Sequence, residues 1–245
     1  MSAIVRAAVR REGLGETENV PPLSHRVPIG LVLVEQGHLS ITQLHRALAE
    51  REAANAAASR RIGEWLIASG VLDETALRGA LSAQWRAPMF SLRGYQPERV
   101  VSALPEFLSE AFGALPLDVA EGGILYLAFD GKIHRSLGYG LERMLGLRVL
   151  SGIAPDSEFR TARSQFRRLR GPKSTLFEAV DADALVRAVT KQLEREKPAD
   201  ARLVRIHEYF WLRLWRHNRK RADLASSGDA EDLVATVGHG FGRIE

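Results

Sequence analysis

Residues 61–84 read RIGEWLIASGVLDETALRGALSAQ, and residues 28–51 read PIGLVLVEQGHLSITQLHRALAER. Set 33 positions apart, the two stretches superpose Gly30 on Gly63, Gly37 on Gly70, Leu39 on Leu72, Leu44 on Leu77 and Leu48 on Leu81. One 24-residue unit is present twice. Each copy spells helix, tight turn, helix. In the first, Pro28 suits an opening helical turn, and Leu31 and Val34 supply an apolar face. Gly37 stands where a left-handed C-terminal cap is needed. Ser40 then caps the next helix, Gln43 completes a capping box, and Leu39 and Leu44 form a hydrophobic staple. The second copy repeats the pattern with Gly70 as stop, Asp73 as cap and Leu72 against Leu77 as staple.

Working outward, residues 1–24 mix Gly13, Gly15, Pro21 and Pro22 with charges and no sustained period, so they read as a flexible arm. Past Pro88 the pattern changes. Pro97 to Phe112 reads as short helices around Pro105, stopped by Gly113. Leu115–Val119 and Ile124–Phe129 flank Glu121-Gly122-Gly123 as a β-hairpin. A helix over Lys132–Leu145 ended by Gly146, a strand Arg148–Ile153 and a helix after Pro155 follow. After Gly171-Pro172 the periodicity predicts helices over Leu176–Glu196 and Ala201–Leu224, and Gly228, Gly238, Gly240 and Gly242 suggest a loose tail. The predicted fold class is α+β, in five parts. A flexible arm (1–24) precedes tandem helical hairpins (25–90), a small α+β subdomain (91–170), a basic helical extension (171–225) and a flexible tail (226–245).

Composition narrows the chemistry. Of 245 residues, 45% are hydrophobic and 26% charged, the balance of a globular chain. With no cysteine, disulfides, thiolate metal sites and cysteine nucleophiles are excluded. The seven histidines show no metal-binding spacing. The first residues break their apolar run at Arg6, too early for a secretory signal, and no apolar run is long enough to span a bilayer, so a cytoplasmic location is expected. Gly171-Pro172-Lys173-Ser174-Thr175 looks like the end of a phosphate-binding loop, but Pro172 and Arg167 occupy the places where glycine is required. Gly138-Tyr139-Gly140 lacks the third glycine of a dinucleotide fingerprint. Asp181 and Asp183, like Asp229, Glu231 and Asp232, read as helix-start carboxylates. No nucleophile and base stand in a catalytic pattern, and the chain is read as non-catalytic.

The repeat resembles the N-terminal domain of type II secretion and type IV pilus assembly ATPases, the GspE N-terminal or MshEN family. The likeness extends through Trp85-Arg86-Ala87-Pro88, Leu104-Pro105, Leu115-Pro116-Leu117 and Leu125–Asp130, and covers roughly residues 25–168. Related domains also lie at the C-terminus of bacteriophage adsorption protein B type glycosyltransferases, but no acidic metal-binding motif of that chemistry is present here. In the MshEN group two such motifs bind cyclic di-GMP. The resemblance therefore implies a stand-alone regulatory domain that senses cyclic di-GMP, with no cofactor, and couples it to a secretion, pilus or exopolysaccharide system. The alternative is a docking module that has lost nucleotide binding and recruits an ATPase or membrane-platform protein.

The residue types suit a guanine ligand. Arginine's fork matches the O6/N7 edge, glutamine offers a donor and an acceptor, glycine admits close approach, and leucines wall a purine face. Copy two carries the set Arg61, Gly63, Leu66, Gly70, Leu77, Leu81 and Gln84. Copy one carries Gly30, Gly37, Leu44 and Leu48, with Pro28 in the place of Arg61 and Arg51 in the place of Gln84. Asp130 is expected to accept from a guanine N–H. Packing alone also explains the glycine and leucine spacing; only Arg61 and Gln84 exceed what it requires.

Charge is uneven. Between Arg160 and Arg221 there are 17 Lys/Arg and 7 Asp/Glu, a local +10 against a total of +4. Residues 208–221 (EYFWLRLWRHNRKR) join aromatic and basic side chains on a predicted helix. Three readings are open. The aromatics dock on the α+β unit, or Trp211, Trp215, Arg216 and Arg219 rest on an anionic inner-membrane surface, or the face meets nucleic acid, for which no recognisable fold speaks.

Overall fold

The computed structural model describes residues 27–54, 61–217, 224 and 228–238. The flexible-arm reading of residues 1–24 lies outside them. The two hairpins form as the repeat dictates, with helices α1 (Ile29–Glu35), α2 (Ile41–Ala53), α3 (Ile62–Ala68) and α4 (Glu74–Trp85). Gly37 and Gly70 carry the chain out of α1 and α3 at φ +74° and +71°, a region open to glycine without strain. The Ser40 hydroxyl accepts from the Gln43 amide at 3.1 Å, and the Ser40 amide donates to the Gln43 side chain at 2.8 Å, closing the capping box. The Asp73 carboxylate accepts from the Ala76 amide at 2.7 Å.

The hairpins share one core, in which Leu33 and Leu66, 33 positions apart, are both fully buried. Within each copy the first helix lies flush on the second. A β-carbon added at Gly30 would sit 2.7 Å from Leu44, and one at Gly63 would sit 2.8 Å from Leu77. The repeated glycine–leucine pairs are a packing device.

The α+β unit follows as read. A turn of 3₁₀-helix at Pro97–Arg99 leads to α5 (Glu106–Phe112), stopped by Gly113. Strands β1 (Ala114–Ala120) and β2 (Ile124–Phe129) pair antiparallel, and α6 (Arg135–Leu145) crosses over to β3 (Arg148–Ile153), which pairs parallel with β2. Helix α7 (Asp156–Phe166) covers the outer face of this sheet through Phe159, Ala162 and Phe166.

The C-terminal part corrects the sequence reading. After β4 (Lys173–Ala179) comes one helix, α8 (Ala182–Glu196), capped by Asp181, and then three more strands. These are β5 (Asp200–Ile206), β6 (Tyr209–Trp215) and β7 (Ala230–Val237), in the sheet order β4-β7-β6-β5. Residues 171–225 are therefore not a helical extension. The segment read as a loose tail from 226 contains a strand over 230–237, and residues 239–245 lie outside the description. The physical reason is burial on two faces. Trp211 and Trp215 face α6 and the first sheet's core, while Phe210, Leu212 and Leu214 face α8. A strand buried on both sides loses the alternation that separates it from a helix. The layers run α7, first sheet, α6, second sheet, α8.

Two further readings change with it. Asp229, Glu231 and Asp232 start no helix: Asp232 is fully buried on β7 opposite Arg213. Trp211 and Trp215, 0% and 2% exposed, cannot rest on a membrane, while Arg216 is exposed and Arg219 lies outside the described residues. Among the described residues, no helix is long and apolar enough to cross a membrane.

Candidate functional site

Arg61 stands at the N-cap of α3 with extended backbone, so its side chain leaves the hairpin at the helix start. One guanidinium nitrogen donates to the backbone carbonyl of Asp130, and the other lies 3.4 Å from the Asp130 carboxylate. Asp130 itself is fixed where β2 ends beside the start of β1, its amide donating to the Gly113 carbonyl at 3.1 Å. Two of the residues singled out in the sequence are thus brought together. The Arg61 side chain remains 57% exposed and Asp130 23%.

Around this contact opens a cleft of about 190 Å³. Arg61 and Glu64 form one side, Asp130 the second, and α7 the third with Asp156, Arg160 and Arg163. Buried Phe159 anchors α7 beneath it. A hydrogen bond to Asp156, followed by burial and the Asp156 charge, raises the Glu64 carboxyl above its ordinary value, against the pull of Arg61 and Arg160. Three arginines, Arg61, Arg160 and Arg163, and three carboxyl groups, Glu64, Asp130 and Asp156, share the cleft. The space is smaller than the roughly 300–1,000 Å³ of drug-sized ligand sites. It suits one base or one phosphate group and leaves the rest of a larger ligand outside.

The other sequence-chosen residues divide by burial. Leu66 lies wholly in the hairpin core and Leu44, 5% exposed, is packed against Gly30, so neither can wall a ligand, a correction that follows from the packing of the helices on one another. Leu44 fills the space over Gly30, and Leu77 the space over Gly63. Leu81 packs on the core of the first sheet. Gly37 and Gly70 face open space, and Leu48 is 38% exposed. Gln84 donates to the Val27 carbonyl at 2.7 Å, tying the end of α4 to the start of the first copy. Arg51, in the last turn of α2, buries its Nε with no hydrogen-bond partner among the described residues. Glu64, Asp156, Arg160 and Arg163 were not found from the sequence. The available signal was the spacing of Arg160, Arg163 and Arg167 on one flank of the helix after Pro155.

No family model matches the chain, and no curated protein does. Among solved structures the chain is similar to MshE with cdg, at 27% identity over 58% of this chain and 99% of that one, with a TM-score of 0.45. It is also similar to the N-terminal domain of XpsE, at 19% identity over 56% of this chain and 92% of that one, with TM-scores of 0.40 and 0.31 for two crystal forms.

Proposed function

We propose that the chain is a non-catalytic regulatory module of a secretion, pilus or exopolysaccharide system, and that it takes cyclic di-GMP or a related guanine nucleotide at the cleft where α3 begins. The observation that carries this reading is the Arg61 guanidinium, more than half exposed, beside the Asp130 carboxylate in a cleft the size of one base. The pair offers a fork for the O6/N7 edge of guanine and an acceptor for its N–H edge. An exposed ion pair is worth about 0–1 kcal/mol, so a ligand displaces it at little cost. Calorimetric titration of the full chain with cyclic di-GMP tests the reading. Binding at concentrations near about 100 μM, lost by about tenfold or more in Arg61→Ala, supports it. No heat at that concentration removes it.

A second reading is favoured by a specific observation: folding itself engages the glycine–leucine set, and Gln84 holds Val27. On that reading the chain is a docking module that recruits a secretion or pilus ATPase, or a membrane-platform protein, without nucleotide. A complex with such a partner that forms equally well with and without cyclic di-GMP, and with Arg61→Ala, distinguishes it from the first.

A further inference from the structure

Three arginines rise from α7 and its C-cap at one-turn spacing, and their surroundings differ. Arg167 turns to α5, where its guanidinium lies 3.2 Å from both Glu106 and Glu110. Arg160 and Arg163 line the cleft opposite Arg61. Among the described residues neither of those two guanidiniums makes a hydrogen bond or an ion pair. Of the carboxyl groups in the cleft, Asp130 meets Arg61 and Asp156 meets Glu64, while Glu64 feels the Arg160 charge without a hydrogen bond to it. Helix α7 is held rigidly from behind by buried Phe159, Ala162 and Phe166, so the two arginines are presented in place. Guanidinium forks that make no hydrogen bond to a carboxylate keep their donors for the oxygens of a phosphate.

We infer that Arg160 and Arg163 form the phosphate-binding wall of this site and hold the phosphodiester of the nucleotide whose base meets Arg61. This rests on the nucleotide reading above and adds residues that lie outside the repeated motif. A cleft of about 190 Å³ holds one base and little more, and these two side chains line it, within reach of the phosphate that follows the base. Arg61 contributes the shared edge between the base and phosphate parts of the site.

The test compares the full chain with Arg160→Ala/Arg163→Ala and with Arg167→Ala, each titrated with cyclic di-GMP at low and moderate salt. Thermal melts confirm that each variant is folded. The double variant is expected to lose affinity by about tenfold or more and to lose part of the salt dependence. Arg167→Ala is expected to bind as the unaltered chain does. Arg160→Lys/Arg163→Lys, which keeps the charges and removes the forks, recovers part of the affinity. If the double alanine variant binds with unchanged affinity and salt dependence while Arg61→Ala is impaired, the phosphate wall is wrong and the nucleotide reading stands. If the unaltered chain binds no cyclic di-GMP, both fall together.

Discussion

Glu64 and Asp156 lie close enough for one carboxyl to donate to the other, so this pair keeps a proton longer than a solvated carboxylate does. The sign follows from linkage. A carboxyl whose value is raised by folding binds more protons folded than unfolded, so its contribution is present at low pH and is lost as pH rises from about 4.5 through the raised value. Glu64→Gln keeps a hydrogen-bond donor toward Asp156 without needing the proton. Melting temperatures followed from pH 4 to 7 should therefore show a flatter profile for the variant, with higher stability at the upper end; parallel profiles would contradict the shared proton. Arg61→Ala should leave stability within about 1 kcal/mol, since its ion pair is largely exposed, while impairing ligand binding. Arg61 and Asp130 were legible because each stands in a recognisable phrase of the sequence. The carboxyl pair and the α7 arginines were not, because residues 64 and 156–163 meet only when the hairpins fold against the first sheet.

At the scale of elements, the hairpins were legible almost completely, and the reason is local. Stop glycines, capping side chains and staple leucines act within a few residues of themselves, so the Gly37 and Gly70 turns and the Ser40 and Asp73 caps appear where the sequence places them. Asp73→Ala should cost about 1 kcal/mol in urea unfolding by releasing the Ala76 amide. Gly63→Val drives a side chain into Leu77 and should cost about 1–3 kcal/mol. Combined with Leu77→Ala, the cost should be less than the sum of the two singles, because the smaller partner clears the space. Strict additivity would show that the helices are not interlocked there. Strand β6 shows the opposite case. Its run of seven residues contains one charge, Arg213, and the turn before it places His207 at φ +56° with no glycine or asparagine to announce it. A non-local sheet supplies the burial on both faces, and local periodicity carries no trace of it.

On the scale of the whole molecule, the second sheet is welded to the first unit. Asp232 accepts from Trp211 Nε1, Arg213 Nε and Arg213 Nη2, each at 2.7 Å, and both Arg213 and Asp232 are fully buried. The same sheet face puts Trp211, Trp215 and Val234 into the core that holds Leu127, Phe129 and Leu141. Asp232→Ala leaves a buried guanidinium without its counter-charge and should cost about 3–5 kcal/mol. Because the core is shared, tryptophan fluorescence and far-UV circular dichroism should report one coincident transition; two separated transitions would show that the sheets fold independently. A rigid body of this kind confines the effect of a ligand to the cleft at α3 and α7. Hydrogen–deuterium exchange of the full chain with and without cyclic di-GMP tests that placement most directly. The account predicts slower exchange over residues 61–68 and 156–166 and no change in β5 and β6; unchanged exchange throughout, or protection confined to the second sheet, would contradict it.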